Sequence, residues 1–223
     1  MGETIELTTS DGHKLGGYRA EPTGEAKGGV VIVQEIFGVN GHIRHVCDSY
    51  AEAGYVAVAP ALFDRIEPGL ELEYDEAGTA RGRKLRLEIA WDDAVKDIEA
   101  AMASLSRHGK VGVVGYCYGG SVAWLSATRL RPAASVCYYG GQILEFKDEP
   151  PNCPVQMHFG STDPMILPEH VEAIKEAQAD AQVEVFLYDA GHGFTCDERS
   201  GFHAESTALA KSRTLAFLDR FMT

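Results

Sequence analysis

No apolar run in these 223 residues approaches the roughly 18 that a membrane-crossing helix needs, so no membrane span is expected. The start, Met1-Gly2-Glu3-Thr4-Ile5-Glu6, lacks the basic residues and apolar core of an export signal, which points to the cytoplasm. Positive charge is scarce: 20 Lys and Arg face 33 Asp and Glu, for a net charge of −13. Nothing supplies a basic groove for nucleic-acid phosphates, so nucleic acid is excluded as a partner. A small anionic substrate is not excluded, because a local arginine can outweigh the global field. Cysteine is sparse and irregular: Cys47, Cys117, Cys137, Cys153 and Cys196 are odd in number and contain no CxxC pair. That excludes a disulfide framework and a zinc cluster, and leaves reduced thiols. No repeat, low-complexity tract or linker divides the chain, so one domain over 1–223 is expected.

Several β-branched runs are present. Ile5-Glu6-Leu7-Thr8 and Lys14-Leu15-Gly16-Gly17-Tyr18-Arg19-Ala20 flank Ser10-Asp11-Gly12 and read as an antiparallel hairpin. Gly29-Val30-Val31-Ile32-Val33-Gln34 is continuously apolar until its last residue, as a strand buried on both faces must be. Further strands are expected at 55–59, 110–115, 135–139, 155–159 and 183–188. Helices are expected at 42–54, 80–106, 121–129, 168–179 and 204–221, and residues 60–79 read as a long loop over the active face. Strands alternating with helices give a mostly parallel sheet, helices on both faces, with the hairpin at one edge.

Gly115-Tyr116-Cys117-Tyr118-Gly119-Gly120 is the most informative segment. It follows a strand-like run and precedes a helix, with glycines two residues to either side of a thiol. That is the pattern of a nucleophile elbow, a strand-to-helix turn so tight that flanking Cβ atoms would clash. Cys117 is therefore the candidate nucleophile in an α/β-hydrolase fold. Asp163 follows one predicted strand and His192, between Gly191 and Gly193, follows the last. Nucleophile, acid and histidine in that chain order match this hydrolase class. His192 would take the thiol proton, and Asp163 would orient the ring. The amides of Tyr118 and Ile36 would hold an oxyanion. Glu35 ends an apolar run, where a carboxylate needs a partner, and a fourth active-site group touching Cys117 is expected. His42 and His45 read as surface residues and His158 as a satisfied near-core histidine. Trp91 and Trp124 read as core aromatics. Arg81, Arg83, Lys84 and Arg86 form a basic cluster whose default is a solvated helix face.

Together with Gln34-Glu35-Ile36-Phe37-Gly38 and Gly191-His192-Gly193-Phe194, these residues resemble the dienelactone hydrolase family over nearly the whole chain. The resemblance implies a Cys117–Asp163–His192 triad and oxyanion donors at Ile36 and Tyr118. It also implies that Glu35 holds the resting thiol protonated. Phe37 and either Arg81 or Arg83 would contact substrate. Members that take dienelactone are similar in carrying an arginine four residues after the histidine; here that position is Cys196. The implied activity is cleavage of a small ester or lactone through a cysteine thioester (carboxymethylenebutenolidase activity), without metal or cofactor, and the chain's size suits a monomer. The alternatives are a broad carboxylesterase or thioesterase, and a non-catalytic thiol sensor.

Overall fold

The computed structural model describes residues 2–222. Eight strands form one sheet: β1 (Glu3–Thr8), β2 (Lys14–Ala20), β3 (Gly29–Val33), β4 (Val56–Pro60), β5 (Val111–Tyr116), β6 (Ala134–Tyr138), β7 (Val155–Gly160) and β8 (Val183–Tyr188). Their order across the sheet is β1-β2-β4-β3-β5-β6-β7-β8. β1 and β2 form the expected hairpin, and β2 runs antiparallel to β4. All later neighbours are parallel. Every residue of β3, β4 and β6 is buried, as strands covered on both faces require. This is the α/β-hydrolase fold.

The helices are α1 (Gly41–Glu52), α2 (Glu76–Glu88), α3 (Trp91–Leu105), α4 (Tyr118–Arg129), α5 (Pro168–Ala177) and α6 (Ala204–Met222). No helix among the described residues is long and apolar enough to cross a membrane. The single helix expected over 80–106 is two. Ile89 is extended, and α3 restarts with Asp92 and Asp93 in its first turn. Continued without a break, the stripe Leu85–Ile89 would turn those two acids toward the core. The break resets the phase so that Ala94, Ile98, Ala101 and Leu105 are buried, and it leaves both carboxylates at a helix N-terminus. The stretch 60–79 is less of a loop than expected. It holds a 3₁₀ turn at Leu62–Arg65, and α2 begins at Glu76, where Asp75 accepts from the Gly78 amide at 2.7 Å. Trp124 is buried and donates to the Phe146 carbonyl, while Trp91 is half-buried against Tyr118 and Phe146.

Chain direction places the site. From β3 the chain moves one way across the sheet to β4, then recrosses to β5 and continues the other way. The loops leaving β3 and β5 therefore diverge and open a crevice at the strands' carboxyl ends. Glu35 and Ile36 follow β3, and Cys117 follows β5.

His158, in β7, is fully buried. Nδ1 contacts the Tyr188 hydroxyl at 2.7 Å, and Nε2 lies 3.0 Å from Gln156 Oε1 and 3.1 Å from Thr214 Oγ1. Burial, reinforced by Arg213, pushes its pKa down to about 3. An unfolded histidine takes a proton near pH 6.5, and this one only near 3. Its contribution to stability is present above pH 6.5 and is lost as pH falls toward 3, at about 1.4 kcal/mol per pH unit. The difference in urea stability between the protein and His158→Gln is expected to follow that slope between about pH 6.5 and 4.

Candidate active site

The elbow is a strained turn. Cys117 sits at φ 55° and ψ −116°, between β5 and the first residue of α4. An added Cβ at Gly115 would lie 1.8 Å from the Gly119 carbonyl oxygen, so no larger residue fits there. The bend turns the Cys117 side chain out of the sheet and leaves it partly exposed.

His192 and Asp163 come to it from the ends of β8 and β7. His192 Nε2 and Cys117 Sγ are 3.2 Å apart. His192 Nδ1–H donates to Asp163 Oδ2 at 2.7 Å. The other oxygen, Oδ1, accepts from the Met165 and Ile166 amides at 2.8 and 3.3 Å, which locks the carboxylate's orientation. The Tyr139 ring stands edge-on to the imidazole at 5.1 Å, and its hydroxyl contacts Thr195 Oγ1 at 2.6 Å. Burial opposes a charge on His192. The Cys117 sulfur and the Asp163 carboxylate outweigh it and raise the pKa to about 10.

Glu35 is 1 % exposed, so it is no solvated strand-end acid. Its partner is Arg199, whose Nη1 donates to Oε1 at 3.2 Å, and Oε2 has no hydrogen-bond partner among the described residues. No hydrogen bond joins Glu35 to Cys117 among the described residues. A guanidinium at this distance is a far stronger partner for a carboxylate than a thiol is.

A cavity of about 320 Å³ opens over the sulfur. Ile36, Phe37, Tyr118 and His192 line it beside Cys117. Neither the Ile36 nor the Tyr118 amide meets a protein acceptor among the described residues. Arg83, Arg86 and Arg199 line the same cavity, and Arg83 and Arg86 form no ion pair among the described residues. Arg81 does not line it. It lies on the other flank of α2, exposed and paired with Glu67. Gly82 lets the helix come this near, since a Cβ there would lie 1.9 Å from the Ile36 carbonyl oxygen. Leu87 and Met165, 73 % and 47 % exposed, form an apolar edge.

Arg199 was not expected here. Position 196 holds a buried cysteine. Turn bonds from Cys196 N to Gly193 O and from Arg199 N to Cys196 O fold the segment back toward the cavity. Arg199 then stacks over Phe37 at 5.8 Å. The sequence signal was an arginine shortly after the histidine loop, disguised by its acidic neighbours Asp197 and Glu198. His42 also departs from expectation: it is buried, with Nδ1 3.1 Å from Asp197 Oδ1, while His45 is exposed.

Fold and site define an α/β-hydrolase with a thiol, an imidazole and a carboxylate in contact at the crevice. The dienelactone hydrolase family model matches residues 15–222, and the chain belongs to that family. The carboxymethylenebutenolidase of Pseudomonas putida is 36% identical over 97% of this chain and 95% of its own. The crystal structure of a dienelactone hydrolase candidate from Klebsiella pneumoniae superposes with a TM-score of 0.84 at 28% identity, covering 98% of this chain and all of that one. A dienelactone hydrolase-like promiscuous phosphotriesterase from metagenomic libraries shares the fold, with a TM-score of 0.79 at 19% identity over 99% and 98% of the two chains.

Proposed function

We propose that the protein is a cysteine hydrolase that opens a small ester or lactone carrying a carboxylate, with carboxymethylenebutenolidase activity. The carrying observation is the unbroken Sγ–imidazole–carboxylate line, with contacts of 3.2 and 2.7 Å, facing a cavity that holds three arginines. In a chain of net charge −13, arginines at one cavity select for an anion.

His192 accepts the Cys117 proton, and the thiolate attacks the carbonyl carbon. Asp163 stabilises the imidazolium and fixes its tautomer. The Ile36 and Tyr118 amides donate to the oxyanion. As the tetrahedral species collapses, the carbon–oxygen bond of the ester breaks. In a lactone the leaving oxygen stays attached to the acyl group, and His192 returns the proton to it. Water, deprotonated by His192, then attacks the thioester and releases the acid and the thiol. Arg199, steered by Glu35, binds the substrate carboxylate with Arg83, and Phe37 covers the ring. No step calls for a metal or organic cofactor. All five cysteines are free, which supports work in a reducing cytosol, and the proposal takes the monomer as the working unit.

The exposed apolar edge of Leu87 and Met165 favours a second reading, an esterase for neutral acyl groups. A panel of cis- and trans-dienelactone against p-nitrophenyl acetate and butyrate separates the two. A kcat/KM at least about tenfold higher for a dienelactone, worth about 1.4 kcal/mol, is expected. Equal or higher values for the neutral esters would overturn the lactone assignment.

A further inference from the structure

A second cavity, of about 310 Å³, lies between α1, the segment after β8 and α6. It shares no lining residue with the cavity over Cys117. The Tyr116 and Tyr138 side chains, stacked 4.7 Å apart, contribute to its wall, and Phe202 stands at its edge. Lys211, from α6, contributes an ammonium group. Nζ donates to Ser49 Oγ at 3.1 Å and lies 3.0 Å from the centroid of the Tyr50 ring. Among the described residues no carboxylate pairs with it; Asp197, which also lines the cavity, is engaged by His42. His45 adds a further basic group at the mouth.

A half-buried ammonium with one hydroxyl and an aromatic face, and with no paired carboxylate among the described residues, leaves room for an anionic partner. An anion would complete it, while a cation would be repelled. Aromatic walls and a single ammonium suit one carboxylate on an apolar ring better than a phosphate, which needs several donors. The volume stands near the lower end for ligand pockets, roughly 300 Å³, and so admits a small molecule.

We propose that this cavity is a second ligand site, separate from the catalytic one, that binds a one-ring aromatic carboxylate with its carboxylate on Lys211 and its ring against Tyr116, Tyr138 and Phe202. In the empty protein, burial lowers the Lys211 pKa to about 7, against the opposing pull of Cys47 and Glu52 on α1. The other titratable groups at the cavity are His42 and His45 on α1, Asp197 after β8, and the two tyrosines. At pH 8 the carboxylate must therefore recharge the amine, and binding takes up a proton.

Calorimetry with benzoate at pH 8, in two buffers of different ionisation heat, tests this on the full chain. Saturable binding with net proton uptake is expected. Lys211→Met should weaken binding at least tenfold while leaving ester turnover unchanged, and benzyl alcohol should bind at least tenfold more weakly than benzoate. Binding should persist in Glu35→Gln/Arg199→Met, which removes from the catalytic cavity the arginine that pairs with Glu35. Absence of saturable binding, binding without proton uptake, wild-type affinity in Lys211→Met, or loss in the Arg199 variant would each overturn the proposal. Should Lys211→Met fail to fold, proton uptake by the wild type and its persistence in the Arg199 variant decide.

Discussion

Cys117→Ala is expected to lower kcat for p-nitrophenyl acetate at least about 10⁴-fold, the scale on which a hydrolase loses activity with its nucleophile. The fold should survive. Alanine keeps the Cβ, so the strain at φ 55° is unchanged, and among the described residues the sulfur's one side-chain partner is His192. A change in unfolding free energy within about 1 kcal/mol is expected, by urea titration. The variant also carries a spectroscopic mark. The sulfur is one of the groups holding the His192 pKa up at about 10 against burial, so its loss should lower that value. The sign for stability follows. A histidine raised above its unfolded value contributes fully below pH 6.5 and loses that contribution as pH rises through about 10. In Cys117→Ala the upper limit moves down, which imidazole NMR titration reads directly.

The second large effect is expected at Arg199. Arg199→Met strands Glu35, which is 1 % exposed and has one oxygen already unpartnered. Breaking a buried pair from one side costs ~3–5 kcal/mol, and the lower end applies because the guanidinium is 25% exposed. Activity should divide by substrate. For an ester with a free carboxylate, kcat/KM should fall about 10–100-fold, mainly through KM, as loss of a charge-assisted contact worth ~1.5–3 kcal/mol predicts. For p-nitrophenyl acetate it should change less than about threefold, within the scatter of lost packing. Adding Glu35→Gln removes the stranded charge. The double variant should regain stability without regaining the anionic substrate. Recovery of both would make Arg199 a purely structural residue.

What the sequence made legible was what depends on local rules. The strands showed as β-branched runs because a parallel sheet buries both faces. The elbow showed because Gly115 and Gly119 flank a thiol where a Cβ has no room. Asp163 and His192 showed because each follows a strand, and parallel strands carry their loops to one rim. The break between α2 and α3 was missed, one helix being expected over 80–106, although Asp92 and Asp93 fit no continuous buried stripe. The arginines were less legible for geometric reasons. Arg81 and Arg83 lie about 100° to either side of Gly82 on a helix, and composition does not say which flank meets the cavity. Arg199 depends on two tight turns after Gly193 that fold the loop inward. The Arg199 partner of Glu35 was hidden for the same reason, since it depends on where the loop after Gly193 folds.

The central claim is that the Cys117 sulfur becomes covalently acylated during turnover. Acid-quenching the enzyme within the first turnovers of p-nitrophenyl acetate, then digesting it for peptide mass spectrometry, tests this most directly. One acetyl group on Cys117, removed by neutral hydroxylamine and absent from Cys117→Ala, is the predicted result. Full turnover with Cys117 unmodified, or an acetyl group on another residue that turns over at the rate of catalysis, would contradict it.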